Sequence, residues 1–281
     1  MHFEGVHTTR YDYTDTVFLE PHTIRLRPRS DPSQIVRAYS IDIDPKPEGL
    51  TDGIDASGNE VTWAWFSDVH RSLEITTRFV VDTVRENPFD FVVPAHQGSL
   101  PVAYGAQELA VLEPYLSGNA GATVGALAED IARSVDHRVM EFATELADQL
   151  HSRCEMIVRP LGDPLTGEQT LAAGQGSCRD IAVLCVEACR HVGLAARFVS
   201  GYVEQHPEGQ PRELHAWTEV YIPGGGWRAF DPSQGLAVTT GHVTLAAAAF
   251  PSDAAPVTGS FRSSDGATAT LTTTVSLDVA A

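Results

Sequence analysis

The feature that most constrains this chain is a cysteine that stands between a glycine-rich loop and a long apolar segment. Cys178 follows Gly174-Gln-Gly-Ser177 and precedes an apolar run from Ile181 to Cys189. A run that is apolar nearly all round is typical of a buried helix, and Gly193 suits the position just after its end. The pattern therefore predicts that Cys178 lies at a helix N-terminus, where unpaired N–H groups and the helix dipole favour the thiolate.

Two later stretches place a histidine and an aspartate on segments that alternate like β-strands. His215 begins His-Ala-Trp-Thr-Glu-Val-Tyr-Ile, Asp231 ends Gly-Trp-Arg-Ala-Phe-Asp, and the turn Gly224-Gly-Gly226 lies between them. A histidine can deprotonate a thiol, and a carboxylate on its far nitrogen fixes the tautomer and the orientation. The order helix, strand, strand therefore predicts Cys178 as nucleophile, His215 as base and Asp231 as the group that orients the base.

Each of these three residues also has a simpler interpretation. Cys178 could be a buried structural cysteine, and His215 could be an ordinary strand histidine. Asp231 precedes a proline, and Asp-Pro favours turns. The agreement of all three stretches favours the catalytic interpretation over the three simpler ones.

An oxyanion formed during thiol attack needs hydrogen-bond donors. The backbone N–H of Cys178 is the first candidate because it lies at the predicted helix start. Gln175 is either a second donor or a solvated loop residue, and Trp217 either lines the cleft or packs in the core. Asp180, in the first turn of the helix, either caps the helix dipole or supports the site by a hydrogen bond.

The segment from about Thr170 to Asp231 resembles the transglutaminase-like superfamily, whose Cys-His-Asp triad follows this chain order. The N-terminal part is similar to the β-domain that precedes this core in bacterial members described as transglutaminase-like cysteine proteases. The similar segments are His7-Thr-Thr-Arg-Tyr-Asp-Tyr13, Leu26-Arg-Pro-Arg29 and Asp55-Ala-Ser-Gly-Asn59. The resemblance implies a papain-like α+β core with Cys178, His215 and Asp231 at the triad positions.

One stretch departs from the pattern of those bacterial members. They commonly carry Gly-Arg-Asp-Tyr a few residues beyond a strand that begins with histidine. This chain has His242-Val-Thr-Leu245 followed by Ala248-Ala-Phe-Pro251. Substrate or loop contacts made by the Gly-Arg-Asp-Tyr side chains are therefore not carried over to this protein.

The remaining sequence predicts an N-terminal antiparallel β-sandwich over residues 1–99 and a catalytic domain over residues 100–281. Alternating segments with turn signals between them predict the strands of the sandwich; these segments are 23–27, 38–44, 61–66 and 73–81. Apolar residues at helical spacing predict two helices over about 123–135 and 139–150. Residues 161–169 are predicted as a surface loop, 196–203 as a strand, and 268–279 as one further strand.

The composition and the motifs of the chain argue against several classes of partner and cofactor. The 37 acidic and 19 basic residues give a net charge of −18, which argues against nucleic acid and disfavours an anionic membrane surface. No leader-like segment or run of about 18 apolar residues occurs, so we expect a cytoplasmic protein. Histidines and cysteines lack metal-ligand spacing and no phosphate-binding loop follows a strand, so we expect no metal and no nucleotide cofactor.

The four cysteines are expected to be free thiols, because a reduced compartment disfavours disulfides. Cys185 and Cys189 lie one helical turn apart and are expected in the core. Cys154 is the fourth.

The expected activity is thiol-dependent acyl transfer on a peptide or protein amide. Hydrolysis, as in a cysteine protease or amidase, is the first expectation, and γ-glutamyl transfer from protein glutamine to an amine is the second. A non-catalytic binding or scaffolding module is the alternative from another class. The N-terminal domain is expected to support the catalytic domain or select substrate, so a chain beginning near Leu100 should keep the triad but lose solubility. The oligomeric state stays open.

Overall fold

The computed structural model describes residues 1–118, 120–159, 162–205, 212–264 and 266–280. Its N-terminal part consists of strands β1 (His2–Leu19), β2 (His22–Ile24), β3 (Gln34–Asp44), β4 (Gly49–Ile54), β5 (Glu60–Trp65) and β6 (Val69–Thr83). Then follow helices α1 (Ala106–Leu116), α2 (Ala122–Ser134) and α3 (Val139–Arg153), strand β7 (Glu155–Met156), helix α4 (Gly167–Ala173), strand β8 (Gln175–Gly176) and helix α5 (Cys178–His191). The last part is β9 (Ala196–Val203), β10 (His215–Ile222), β11 (Gly226–Asp231), β12 (Leu236–Ala237), β13 (His242–Ala248), β14 (Val257–Thr258), β15 (Phe261–Arg262) and β16 (Ala269–Ala280).

The N-terminal strands form two antiparallel sheets that share one core. One sheet has the order β15-β1-β6-β3 with β16 also paired to β1, and the other has the order β14-β2-β5-β4. Alternation along β6 buries one face, and residues of both sheets meet in the core; they include Phe3, Leu19, Ile24, Ala64, Leu73, Ile75 and Phe79. The predicted β-sandwich is therefore confirmed, although the strand expected over 23–27 ends at Ile24.

The C-terminal strand that the alternation predicted over 268–279 is confirmed as β16. It pairs antiparallel with β1 from His2↔Ala280 to Tyr13↔Ala269. The last strand thus returns to the N-terminal sheet, and β14 and β15 pair there as well. By its hydrogen bonding this segment belongs with the sandwich, while the division of the chain at residue 99 stays a prediction.

The second half is an antiparallel sheet with helices packed on one face. The sheet has the order β12-β11-β10-β9-β13, and Thr218 of β10 donates to the carbonyl oxygen of Ala182 in α5 at 3.2 Å. Helices α2 and α3 pack against α5 through the apolar faces that the spacing predicted; the buried residues are Val124, Leu127, Ile131, Val139, Phe142, Leu146 and Leu150. The α+β core expected from the resemblance is confirmed.

Two helices were not predicted. The expected loop over 161–169 is wrong from Gly167 onward, where α4 begins with Thr166 as its N-cap. The side chains of Thr166 and Gln169 form a capping box, a Thr-x-x-Gln signal that favours a helix start. Helix α1 buries only Leu112 and contains Pro114, so its sequence lacks an apolar stripe of helical period.

The sandwich and the core are joined along β13. Tyr202, Val243 and Leu245 of the core lie in the same apolar cluster as the sandwich strands. Among the helices in the described part of the chain, none is both long enough and apolar enough to span a bilayer.

Candidate active site

Cys178 is the first residue of α5, as predicted, and its side chain is half-buried. Ser177 is the N-cap residue, and its backbone N–H and its hydroxyl donate to Asp180 Oδ2 at 2.7 and 2.8 Å. Arg159 Nη1 lies 2.6 Å from both oxygens of that buried carboxylate. Asp180 therefore caps the helix and ties it to the preceding loop, which fixes the backbone that carries the thiol.

The pKa of Asp180 is lowered despite its burial. Burial raises the pKa, but the Arg159 guanidinium and the backbone N–H groups of Leu165 and Ser177 outweigh it. The first turn of the helix thus holds an ionised carboxylate two residues after Cys178.

His215 and Asp231 lie on the neighbouring strands β10 and β11, which pair antiparallel. Gly224 and Gly226, with φ of +81° and +69°, form the turn between them, where side chains with a Cβ are strained. His215 Nε2 lies 2.7 Å from Asp231 Oδ2, and Cys178 lies near enough to the same imidazole to raise its pKa. The fold brings the three predicted triad residues together at the N-terminus of α5.

Both oxygens of the Asp231 carboxylate accept several hydrogen bonds. Oδ1 accepts from the backbone N–H and the hydroxyl of Ser233 at 2.9 and 2.7 Å, and from the backbone N–H of Gln234 at 3.2 Å. Oδ2 accepts from His215 and also from His242 Nε2 at 2.9 Å. The side chain of Asp231 is fully buried, so these donors stand where water otherwise would.

The electrostatics of the pair favour an ionised site. Burial alone would lower the pKa of His215, but the hydrogen bonds to Asp231 and Cys178 outweigh it and raise the pKa to about 10. Burial likewise opposes ionisation of Asp231, yet the hydrogen bonds from His215 and His242 hold its pKa well below the ordinary value. Near neutral pH, His215 is therefore an imidazolium that faces a carboxylate.

Sequence reasoning missed His242 and Ser233 as parts of this site. His242 begins β13 and stood in the sequence only as the first residue of an apolar strand. A histidine in such a strand is a signal because burial of an imidazole requires a partner. Ser233 stands two residues after Asp231, a spacing at which a hydroxyl reaches the aspartate locally.

The spacing of three side chains would also suit a metal ion; they are His215, Asp231 and His242. Within the described residues their ligand atoms all lie within 4.8 Å of one another. Each imidazole Nε2, however, already donates to Asp231 Oδ2, at 2.7 and 2.9 Å. A metal would have to replace both N–H donors, so we interpret the cluster as a hydrogen-bond network.

The two weaker candidates occupy different environments. Gln175 is exposed in β8, three residues before the nucleophile. Trp217 is fully buried, and its ring stacks on His215 with a centroid distance of 6.2 Å. Gly201 of β9 permits this packing, since a Cβ there would lie 2.6 Å from a Trp217 ring carbon. Trp217 therefore packs against the His215 ring, and the donor role of Gln175 stays a prediction.

The other cysteines differ from Cys178 in their surroundings. Cys154, Cys185 and Cys189 are buried free thiols, and the predicted burial of Cys185 and Cys189 is confirmed. Burial raises the pKa of Cys154, and the hydrogen bond with Cys185 together with burial raises that of Cys189. A raised pKa disfavours the reactive thiolate.

The departing stretch Ala248–Pro251 begins at the last residue of β13 and lies beside the helix that carries Cys178. Ala246 and Ala248 pack with Ala182 and Ala216 in a small apolar cluster that Cys178 adjoins. Arg190 of α5 donates to the carbonyl oxygen of Ala249 at 2.6 Å. The backbone here contacts α5 without the side chains of the usual stretch.

Two family models match this chain. The model of the transglutaminase-like superfamily matches residues 125–232, and the model of the bacterial transglutaminase-like N-terminal region matches residues 5–82. The first match contains Cys178, His215 and Asp231, whereas His242 lies beyond its end.

Alignments with relatives and with a solved structure cover nearly the whole chain. The uncharacterized protein ML0607 of Mycobacterium leprae is 28% identical and covers 94% of each chain. The uncharacterized protein Rv2569c of Mycobacterium tuberculosis is 28% identical over 92% of this chain and 86% of its own. The crystal structure of a "putative cysteine protease" from Cytophaga hutchinsonii aligns over 99% of this chain and 90% of its own, with 21% identity and a TM-score of 0.71.

Proposed function

The chain belongs to the transglutaminase-like superfamily, and from that premise we propose that it is an enzyme that transfers acyl groups through Cys178. The observation that carries the proposal is the imidazole of His215. It has Cys178 as one partner and Asp231 Oδ2 at 2.7 Å as another, at the start of a helix. That arrangement favours a thiolate–imidazolium pair.

The proposed reaction begins with attack of the Cys178 thiolate on the carbonyl carbon of an amide. The backbone N–H of Cys178 donates to the oxyanion of the tetrahedral intermediate. Protonated His215 then gives its proton to the leaving amine, and the C–N bond breaks to leave a thioester on Cys178. Asp231 keeps the imidazole oriented through both proton transfers.

The second half of the reaction decides the class of enzyme. We propose hydrolysis, in which neutral His215 takes a proton from water and the resulting hydroxide attacks the carbonyl carbon of the thioester. The C–S bond then breaks, the carboxylic acid product leaves, and the Cys178 thiolate and protonated His215 are restored. Hydrolysis needs only water, whereas transfer to a primary amine needs a second binding site beside Cys178. A peptide or protein amide is the proposed substrate, with γ-glutamyl transfer as the second candidate.

A thiol-labelling experiment tests the nucleophile. A limiting amount of iodoacetamide at mildly acidic pH should modify Cys178 well before the three buried cysteines, as mapped by mass spectrometry of digested protein. Cys178→Ala should lose this fast labelling and all turnover but keep the fold, because a half-buried thiol contributes little packing. The matched control is Cys154→Ala, which should label like the parent.

A glutamine-containing peptide then separates the two outcomes of the thioester. Ammonia release without an added primary amine indicates hydrolysis, and incorporation of the amine indicates transfer. If the four cysteines label at equal rates and neither product forms, the protein is a binding module that keeps the fold. Activity that survives in Cys178→Ala would require a different nucleophile.

A further inference from the structure

His242 lies against the candidate site without being one of the predicted triad residues. It is the first residue of β13, pairs with Val203 of β9, and its side chain is 4% exposed. The ring of Trp217 packs edge-on against it with a centroid distance of 5.1 Å. The imidazole therefore has a fixed place beside Asp231 and His215.

The hydrogen bond from His242 adds to those that restrain the Asp231 carboxylate. Its Nε2 lies 2.9 Å from Oδ2, the oxygen that also accepts from His215 at 2.7 Å, while Ser233 holds Oδ1. A carboxylate bound on both oxygens cannot rotate about its Cβ–Cγ bond without breaking several bonds. The direction in which Asp231 aims His215 thus depends on His242.

The charges around His242 are consistent with a neutral donor. The titratable groups that act on it are Asp231 from β11, His215 from β10 and Glu204 just after β9, and burial outweighs them to lower its pKa. A neutral imidazole with its proton on Nε2 can donate to Asp231 without repelling the imidazolium of His215. The two rings lie 6.1 Å apart by their centroids.

We propose that His242 is a positioning residue that locks the carboxylate of Asp231 and thereby aims His215 at Cys178. The proposal rests on the proposed thiol chemistry. It assigns to the start of β13 a role that lies outside the residues matched by the superfamily model.

The experiment compares alkylation of Cys178 by iodoacetamide over a range of pH in the parent and three variants. His242→Phe keeps an aromatic ring but removes the donor, and we expect the alkylation rate at mildly acidic pH to fall about tenfold, as for loss of one charge-assisted hydrogen bond. His242→Gln places an amide N–H near the position of Nε2, and we expect it to recover most of that rate. His22→Gln changes a buried histidine of β2 whose ring bonds to the carbonyl oxygen of Glu20 within the sandwich, so its alkylation profile should match the parent.

A measurement on the parent protein does not depend on how the variants fold. The nitrogen chemical shifts of His242 should report a neutral ring protonated on Nε2 across neutral pH. A ring protonated only on Nδ1, or equal alkylation profiles for His242→Phe and the parent, would overturn the positioning role. If the parent itself shows no preferential labelling of Cys178, the proposed function fails instead.

Discussion

Two buried histidines, one in the N-terminal sandwich and one in the transglutaminase-like core, have pKa values shifted in opposite directions. His7 of β1 is fully buried, and its ring nitrogens meet the hydroxyls of Tyr202 at 2.8 Å and Thr9 at 3.1 Å. Burial lowers its pKa to about 4, whereas the partners of His215 raise that pKa to about 10. The two rings are similarly buried, so the difference comes from their partners: His7 meets two hydroxyls, whereas His215 has both the Asp231 carboxylate and Cys178.

The two regions also differ in the partners of their buried polar groups. In the core, donors from two strands and a loop converge on one anion, Asp231. In the sandwich, the buried amides of Gln34 and Asn59 pair with the backbone of β13, and His7 meets Tyr202 of β9. Three neutral side chains of the sandwich, Gln34, Asn59 and His7, thus hydrogen-bond to the core, whereas the buried carboxylate of Asp231 lies at the candidate site.

Removing the carboxylate should make His215 behave like His7. In Asp231→Asn we expect the pKa of His215 to fall below its ordinary value of 6.5, because burial is then opposed only by Cys178. We expect turnover to fall roughly 10³–10⁴-fold, the scale on which a misplaced tautomer impairs such triads. NMR titration of His215 and the rate of peptide hydrolysis check both expectations.

Asp231→Asn leaves the proposed nucleophile and the proposed base in place, so it should retain more activity than Cys178→Ala. An asparagine variant with near-parent turnover would mean that Asp231 is a structural turn residue. Unchanged titration of His215 would mean that another group sets its charge.

We expect His7 of the sandwich to make the free energy of unfolding depend on pH in the acidic range. The folded pKa of His7, about 4, lies below the ordinary value of 6.5, so its neutral form stabilises the fold above pH 6.5. That contribution is lost as the pH falls from 6.5 to 4, with a slope of up to about 1.4 kcal/mol per pH unit. Urea unfolding of His7→Gln over this range should show a smaller slope than the parent.

For His215 the contribution to stability depends on pH in the opposite direction. Its folded pKa is raised, so its contribution to stability is complete below pH 6.5 and is lost as the pH rises through about 10. His7→Gln should leave this alkaline limb unchanged. Equal acid slopes in His7→Gln and the parent would show that His7 does not titrate on unfolding in this range.

Much of the core could be predicted because its signals are local. The apolar run after Cys178 and the turn Gly224–Gly226 each define an element within a few residues. The pairing of His215 with Asp231 then follows from one short hairpin. His242 could not be assigned in this way, because it reaches Asp231 through a strand that pairs with β9 rather than with β11.

The sandwich was predicted less completely for the same reason. The segment 2–19 carries polar residues along most of its length, and β1 acquires its form by pairing with β6 on one side and β16 on the other. The return of β16 to β1 joins the two ends of the chain, a contact that no local pattern encodes. Periodicity identified β16 as a strand, but only the fold gives its partner.

The last and smallest expected effect concerns the amide contacts between the two regions. The Gln34 side chain donates to the carbonyl oxygen of Thr244 at 2.8 Å and accepts from its backbone N–H at 2.8 Å, so it pairs with the free edge of β13 like a short strand. Gln34→Leu should lower the free energy of unfolding by about 1–3 kcal/mol, because the buried N–H of Thr244 loses its partner. The backbone N–H of Arg29 still donates to the carbonyl oxygen of Thr244 at 3.0 Å, which places the effect toward the lower end of this range.

The exposed control Gln107→Leu should stay within about 0.5 kcal/mol of the parent in urea unfolding. Equal stability of Gln34→Leu and Gln107→Leu would mean that the amide contributes nothing to the junction, and that apolar packing around Val243 and Leu245 alone holds β13 against the sandwich.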